Sequence, residues 1–164
     1  MPVITHPWAP VCEADARVLI LGSIPSPKSR ELGFYYAHPQ NCFWQTLAQV
    51  LRAPVPSPDA ASRTAFLKRN RVALWDVLHA CEIDGASDSS IRNPVPNRFR
   101  PLLEASGIAA IFTAGKKATA LFQAHCREEA GMQPAYLPST SPANRAQQGR
   151  PEFMEQWMRL RAYL

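Results

Sequence analysis

The chain alternates short, wholly apolar runs with stretches in which apolar residues return every three or four positions. The first apolar run, Val18 to Leu21, ends at Gly22. Consecutive apolar residues of this kind are typical of a strand buried on both faces, as strands of a parallel sheet are. Similar runs predict three more strands, at Val72 to Leu78, Ala109 to Thr113 and Ala135 to Leu137.

Helical spacing appears between these runs. Asn41 is placed to cap a helix whose apolar face comprises Phe43, Leu47, Val50 and Leu51. Ser57-Pro58-Asp59 offers a cap, a first-position proline and a first-turn acid, and predicts a second helix that runs to about Arg69. Further helices are predicted near Leu102 and Leu103, from Gly115 to Glu129, and around Phe153, Trp157 and Leu160.

Two segments show neither pattern. Ser23 to Gln40 is rich in proline and glycine and predicts a long structured loop, and Glu82 to Arg100 predicts a polar, solvated stretch. Because strands alternate with helices, we expect a three-layer α/β/α sandwich around a mainly parallel central sheet of about four strands. Without a repeat or a linker between two long halves, residues 1–164 are expected to form a single domain.

Composition restricts the possible functions and partners only slightly. The net charge of +5 suits a polyanionic partner such as DNA, but ordinary proteins share it. The cysteines stand singly and are expected to be free thiols rather than metal ligands; they are Cys12, Cys42, Cys81 and Cys126. Met1 to Pro10 does not resemble a signal peptide, and no apolar stretch reaches membrane-spanning length, so we expect a soluble, cytoplasmic protein without membrane contact.

Candidate chemistry lies at the ends of the first and last strands. Ligands of parallel α/β folds bind beyond the carboxyl ends of the strands, which selects Gly22 to Ser26 and Ser139 to Arg145. Gly22 has no partner glycines for a dinucleotide fingerprint. Gly115-Lys116-Lys117 lacks the upstream glycine and the following Ser or Thr of a phosphate loop.

Three segments together resemble the uracil-DNA glycosylase superfamily. Gly22-Ser23-Ile24-Pro25-Ser26 resembles its first motif, and Leu137 to Arg145, with the sequence Leu-Pro-Ser-Thr-Ser-Pro-Ala-Asn-Arg, resembles its second motif. Phe34 to Trp44 is similar to a segment of the mismatch-specific uracil/thymine branch, with an aromatic and a small residue before His-Pro and then Asn and Phe-Trp. Ser23 and Ser26 around Pro25, with Asn41, point to the hypoxanthine-DNA glycosylase branch, often called family six.

The resemblance implies a monofunctional glycosylase that flips a deaminated base into a pocket and uses water as nucleophile, without metal or organic cofactor. Asn41 is the implied catalytic residue, holding the water, the base edge or both. The implied base-binding residues, with Tyr36 stacking on the base, are Gly22, Ser23, Ile24, Pro25, Ser26, Tyr36 and Ser139. The implied DNA contacts, with Arg145 as a phosphate clamp, are Ser141, Pro142, Ala143, Asn144 and Arg145.

Three departures from the superfamily pattern bear on the substrate. Most relatives carry an acid or amide at Ile24 to orient the attacking water, the efficient uracil enzymes carry a histidine at Ser139, and others place a bulky wedge at Ala143. The departures at Ile24 and Ser139 count against efficient uracil excision and favour hypoxanthine in DNA as the substrate. The protein is expected to be a monomer.

Several alternatives remain open from the sequence. The same fold with another deaminated base, uracil or xanthine in mismatches, is the nearest one. A non-catalytic module that binds DNA lesions and an unrelated α/β nucleotide-binding protein are others. Asp76, a charge inside an apolar run, is either a strand-end residue at the pocket or a buried partner of an arginine.

Overall fold

The computed structural model describes all residues, 1–164, as strands, helices and connecting loops. The strands are β1 Val3–Thr5, β2 Val18–Gly22, β3 Val72–Asp76, β4 Leu78–Asp84, β5 Ser87–Pro96, β6 Ala110–Ala114 and β7 Pro134–Leu137. The α-helices are α1 Pro27–Leu32, α2 Phe43–Leu51, α3 Ala60–Arg69, α4 Arg100–Glu104, α5 Lys116–His125, α6 Arg127–Ala130, α7 Arg145–Gln148 and α8 Pro151–Met158. Short 3₁₀ helices span Pro142–Asn144 and Arg159–Tyr163.

A four-stranded parallel sheet in the order β3-β2-β6-β7 forms the centre of the molecule. Val18 in β2 pairs with Val72 on one side and with Ala110 on the other. Every residue of β2 is buried, as its unbroken apolar run predicts. The expected parallel sheet of an α/β sandwich is therefore confirmed.

Apolar side chains cover the central sheet on both faces. On one face α2, α3 and α8 contribute Trp44, Phe66 and Trp157, all fully buried in one cluster. On the other face α5 contributes Phe122 to a second cluster, together with residues of β4. The second outer layer is therefore partly helical and partly a sheet.

That additional sheet is antiparallel, in the order β1-β4-β5. The stretch from Glu82 to Arg100 is polar and largely exposed as predicted, but it also contains strands that the sequence did not predict, because β4 continues to Asp84 and β5 fills most of the remainder. β5 lacks the alternation of a half-buried strand because it is an edge strand and most of its side chains are exposed. The run from Val72 to Leu78 is likewise two strands, with a break at Val77.

Local capping explains three further differences. The expected loop from Ser23 to Gln40 contains α1, whose cap Ser26 accepts a hydrogen bond from Ser29 N. Asp59, rather than Ser57, caps α3 by accepting from the backbone of Ser62. The helix expected from Gly115 to Glu129 is divided into α5 and α6 at Cys126.

None of the helices combines the length and the apolar character needed to cross a bilayer. All four cysteines are free, as expected, and Cys81 and Cys126 are buried. The expectation of a single domain over residues 1–164 stays a prediction.

Candidate functional site

A cavity of about 160 Å³ opens at the carboxyl ends of the parallel strands. It is smaller than the pockets of drug-sized ligands, which are about 300–1,000 Å³, so it suits one planar ring system. The expected base-binding residues and Asn41 all line it, as does Ser141. The complete lining is Gly22, Ser23, Ile24, Pro25, Ser26, Ser29, Tyr35, Tyr36, Asn41, Asp76, Ile83, Gly85, Ala86, Asp88, Ala114, Ser139, Thr140 and Ser141.

Gly22, at the end of β2, lies against the most crowded part of the cavity wall. A β-carbon added there would lie 2.6 Å from Asp76 Oδ1 and 2.9 Å from the Tyr36 hydroxyl. Neither approach is tolerable, so this position requires glycine. Gly22 therefore lets a carboxylate and a phenol flank its Cα at the wall of the pocket.

Asp76 ends β3 and is 4% exposed. Its Oδ2 accepts a hydrogen bond from Nε2 of His6, at 2.7 Å. The ring is itself fixed, because His6 Nδ1 lies 2.9 Å from the backbone oxygen of Trp8. Of the two interpretations of Asp76, the strand-end position at the pocket is confirmed; its buried partner is a histidine, and the arginine alternative is wrong.

Tyr36 has a left-handed backbone, with φ of +49°. This conformation is unusual for a bulky residue and costs on the order of 1–3 kcal/mol unless its surroundings enforce it. Trp44 Nε1 donates to the backbone oxygen of Tyr36 at 3.1 Å, and the ring stacks on Phe43 with centroids 4.0 Å apart and planes 5° apart. Because Phe43 covers one face, only the opposite face remains for stacking on a base.

The hydroxyl of Tyr36 is buried and makes no hydrogen bond within the protein. Its burial, and then the negative charges of Asp76 and Asp88, raise the pKa of Tyr36 well above its usual range. The phenol therefore stays protonated and retains a donor. An unpaired buried donor costs about 1–3 kcal/mol, and a ligand in the adjoining cavity would remove that cost.

Asn41 precedes α2 and uses only half of its amide within the protein. Its Oδ1 accepts a hydrogen bond from the backbone of Phe43 at 3.0 Å, while Nδ2 has no partner. The following residue, Cys42, provides no side-chain cap, so Asn41 performs the expected capping role. The same bond fixes which end of the amide is free, since it leaves the NH₂ group for the cavity.

Asp88 reaches the cavity from β5. The β4–β5 hairpin turns at Gly85 and Ala86, which also line the cavity. Ser23 Oγ donates to Asp88 Oδ1 at 3.2 Å, which ties the hairpin to the first motif. Asp88 retains solvent-exposed surface, but the surrounding walls reduce its hydration and raise the pKa of its carboxyl above the usual 3.8.

The second-motif loop is held by its own polar groups. The backbone oxygen of Ser139 accepts from Asn144 Nδ2 at 2.9 Å and from Gln148 Nε2 at 3.2 Å. Asn144 thus has an internal partner, whereas Arg145 is exposed and forms no ion pair. The remaining expected DNA contacts, Pro142 and Ala143, lie in the 3₁₀ turn outside the cavity.

Two carboxylates and no basic side chain line the cavity. This charge repels phosphate and favours a ligand that presents N–H groups or develops positive charge. The nucleotide-binding alternative is therefore disfavoured. No three His, Cys, Asp or Glu side chains lie together as a metal site requires, and independence from metal and cofactor stays a prediction.

Two residues of the site were not revealed by the sequence: Asp88 lines the cavity, and His6 lies outside the lining but binds Asp76. His6 lies 70 positions from its partner Asp76, in a segment without a motif. Asp88 belongs to a serine-rich polar run whose strand pattern is hidden by exposure. A charge at the end of an apolar run was the one usable signal, and it identified Asp76 alone.

Comparison with known proteins gives concordant matches. The family model of the uracil DNA glycosylase superfamily matches residues 9–161. A hypoxanthine DNA glycosylase of Methanosarcina barkeri is 34% identical over 111 residues, covering 67% of this chain and 70% of that protein. One of Methanosarcina acetivorans is 32% identical over 144 residues, covering 87% and 90%.

The fold has a solved counterpart. A Methanosarcina acetivorans protein, determined by solution NMR and described as a candidate uracil DNA glycosylase, is similar with a TM-score of 0.79. The two share 28% sequence identity, and the match covers 97% of this chain and 96% of that one.

Proposed function

Because the chain belongs to the uracil-DNA glycosylase superfamily, we propose that it is a monofunctional DNA glycosylase that removes hypoxanthine from DNA. The observation that carries this function is the cavity at the strand ends, where an unpaired amide donor and two carboxylates converge. Two relatives named hypoxanthine DNA glycosylase, each at least 32% identical, support the substrate.

The polar groups of the cavity match the edge of a flipped hypoxanthine. That base carries a carbonyl oxygen beside a ring N–H. The free Nδ2 of Asn41 donates to the carbonyl, and Oδ1 of Asp76, whose other oxygen is held by His6, accepts from the ring N–H. Adenine has a donor and an acceptor in the opposite order and would leave both protein groups unpaired, which costs about 1–3 kcal/mol for each group.

The same cavity suits the hydrolytic transition state. Departure of the base leaves positive charge on the sugar, and the carboxylates stabilise such charge without a metal. Water is the nucleophile, since Lys116 and Lys117 lie outside the cavity lining and no amine is available for a Schiff base. The enzyme acts as a monomer and without a cofactor.

DNA binds across the mouth of the cavity. The exposed Arg145 contacts a backbone phosphate, and the turn that carries Ala143 approaches the groove. The small Ala143 side chain fills little of the space that a flipped base leaves, so stabilisation of the extruded state depends more on the cavity itself. A cytoplasmic location fits this function and belongs to the same proposal.

A second substrate shares the recognised edge. Uracil also places a ring N–H beside a carbonyl, so it can form the same two hydrogen bonds with the Asn41 amide and the Asp76 carboxylate. Ser139 at the cavity, a neutral donor instead of a cation, provides little stabilisation for a departing pyrimidine anion. We therefore expect slower excision of uracil than of hypoxanthine.

Duplexes that carry one hypoxanthine, uracil or xanthine test the function directly. Alkali converts each abasic site to a strand break, and Asn41→Ala serves as the inactive partner of the wild type. Breaks mainly at hypoxanthine, lost in the variant, are the expected result. Breaks mainly at uracil would contradict hypoxanthine as the substrate but keep the glycosylase function. No breaks with folded protein would indicate a non-catalytic module that binds lesions.

A further inference from the structure

A group that takes a proton from the attacking water accelerates hydrolysis, and the motif residues do not provide one. The Asn41 amide is not a base at neutral pH. Ile24, which also lines the cavity, is apolar, 8% exposed and packed in the second core cluster. The carboxylates elsewhere in the cavity are the groups that can perform this step if the chain is a glycosylase, and the inference rests on that proposed function.

The two cavity carboxylates occupy different depths. Asp76 is buried, and one of its oxygens is already bound to His6. Asp88 lies on the hairpin at the exposed rim. A flipped base enters ring first, while its sugar remains attached to the strand outside. The sugar carbon that water attacks therefore lies at the depth of Asp88 rather than of Asp76.

Local contacts fix Asp88 and leave it one free oxygen. Ser23 Oγ donates to Oδ1, and Oδ2 has no partner within the protein. The hairpin turn is held by Ser90, whose hydroxyl donates to the Ser87 backbone oxygen at 2.6 Å and accepts from the backbone of Asp84 at 2.8 Å. Asp88, at the start of β5 beside an ordered turn, therefore presents a free carboxylate oxygen at the rim, as a general base needs to.

We propose that Asp88 is the catalytic residue that accepts a proton from the nucleophilic water. The water oxygen bonds to the sugar carbon C1′ as the bond from C1′ to the base nitrogen breaks. The electron pair of that bond leaves with the base. One water proton passes to Asp88 and then to the departing base, so that water and deoxyinosine yield an abasic site and hypoxanthine.

The test compares two acids of one hairpin. Asp88→Asn removes the base, and Asp84→Asn is the matched control, since Asp84 is exposed and lies outside the cavity. Single-turnover excision of hypoxanthine should fall on the order of 100-fold or more in Asp88→Asn, with the Kd for DNA nearly unchanged. Asp84→Asn should stay within about twofold of the wild type, as surface changes do.

Duplexes that carry hypoxanthine, uracil or xanthine distinguish a role of Asp88 in activating water from a role in recognising the base. If Asp88 activates water, Asp88→Asn slows excision by the same factor for every base that the wild type removes. A changed preference among bases, or a rate within about threefold of the wild type, would overturn the proposal while the proposed function stands. Failure of the wild type itself would instead overturn the function.

Chemical rescue distinguishes a catalytic role of Asp88 from a purely structural role in the β4–β5 hairpin. If both hairpin variants lose activity, excess formate is added to Asp88→Ala, because a small carboxylate can replace the missing base. Rescue of excision by formate would support the proposal. Absence of rescue would assign Asp88 to hairpin structure and overturn it.

Discussion

His6 Nε2 and Asp76 Oδ2 lie 2.7 Å apart beneath the cavity, with side chains 2% and 5% exposed. The bond joins the segment after β1 to the end of β3. It holds Oδ2, while Oδ1 lies beside Gly22, where an added β-carbon would be 2.6 Å from it. The segment after β1 therefore fixes a lining residue of the pocket through His6, which no motif contains.

Breaking this pair from either side should have unequal effects. His6→Ala leaves a buried carboxylate unpaired and should lower the free energy of unfolding by about 3 kcal/mol. Asp76→Asn retains a polar partner for the ring, so it should fold with a smaller loss but excise hypoxanthine much more slowly. Urea unfolding of both single variants and the double variant should give a coupling energy on the order of 1–3 kcal/mol; additive losses would contradict the pairing.

The unpaired Tyr36 hydroxyl predicts opposite effects on stability and activity. Tyr36→Phe removes a buried donor without a partner and should raise the free energy of unfolding by about 1 kcal/mol. It should also slow hypoxanthine excision, because the base loses a donor. Tyr35→Phe is the control for stability: its hydroxyl donates to the Ala9 backbone oxygen at 3.1 Å, so that variant should lose stability. An equal loss of stability in Tyr36→Phe and Tyr35→Phe would contradict a Tyr36 hydroxyl that is left free for a ligand.

The pH profile should show the carboxylate at the rim. Burial raises the pKa of Asp88 above 3.8; the charge of Asp76 also raises it, while Ser23 and Lys117 lower it. The nearby Tyr36 phenol stays neutral over the working range. If ionised Asp88 is required, excision falls as the pH falls through this raised pKa. Asp88→Asn should lack that acidic limb, and an unchanged limb would contradict its assignment.

The same pKa shift affects stability with a definite sign. Since the raised pKa means that folded protein holds the Asp88 proton more tightly than the unfolded chain, the free energy of unfolding decreases as the pH rises from 3.8 through the higher folded value. Asp88→Asn should remove that decrease and be more stable than the wild type at neutral pH. Thermal unfolding at several pH values measures the difference.

Salt dependence should identify the phosphate contact. Arg145→Ala should weaken DNA binding about equally for all sequences and reduce the slope of log affinity against log salt by about 1. Arg69→Ala is the control, because Arg69 ends α3 just before the amino end of β3, at the opposite edge of the sheet from the cavity. A slope that changes in neither variant would remove Arg145 from the DNA contact surface.

The sequence predicted the central sheet well because burial on both faces leaves an unmistakable apolar run, as in β2. It also predicted half of the cavity lining, since carboxyl strand ends and motif positions coincide there. It failed where structure depends on distant partners. The edge strand β5 is mostly exposed and carries no alternation, so neither the second sheet nor Asp88 could be recognised.

The sequence also does not show which distant side chains form hydrogen bonds with each other. Asp76 is visible as a charge in an apolar run, but nothing in the chain identifies His6 as its partner across 70 positions. Likewise Asn41 is recognisable as a cap and as a motif residue. Which end of its amide remains free becomes known only from the bond to Phe43.

The hydrogen bond from Phe43 N to Asn41 Oδ1 permits the most direct test of the function. Asn41→Asp keeps the oxygen that accepts from Phe43 N and loses the NH₂ donor, whereas Asn41→Ala loses both. Release of hypoxanthine from a duplex under single-turnover conditions should fall by about 100-fold or more in both variants, although Asn41→Asp keeps wild-type stability. Wild-type excision by Asn41→Asp would contradict the role of the Asn41 donor and with it the proposed recognition of the base.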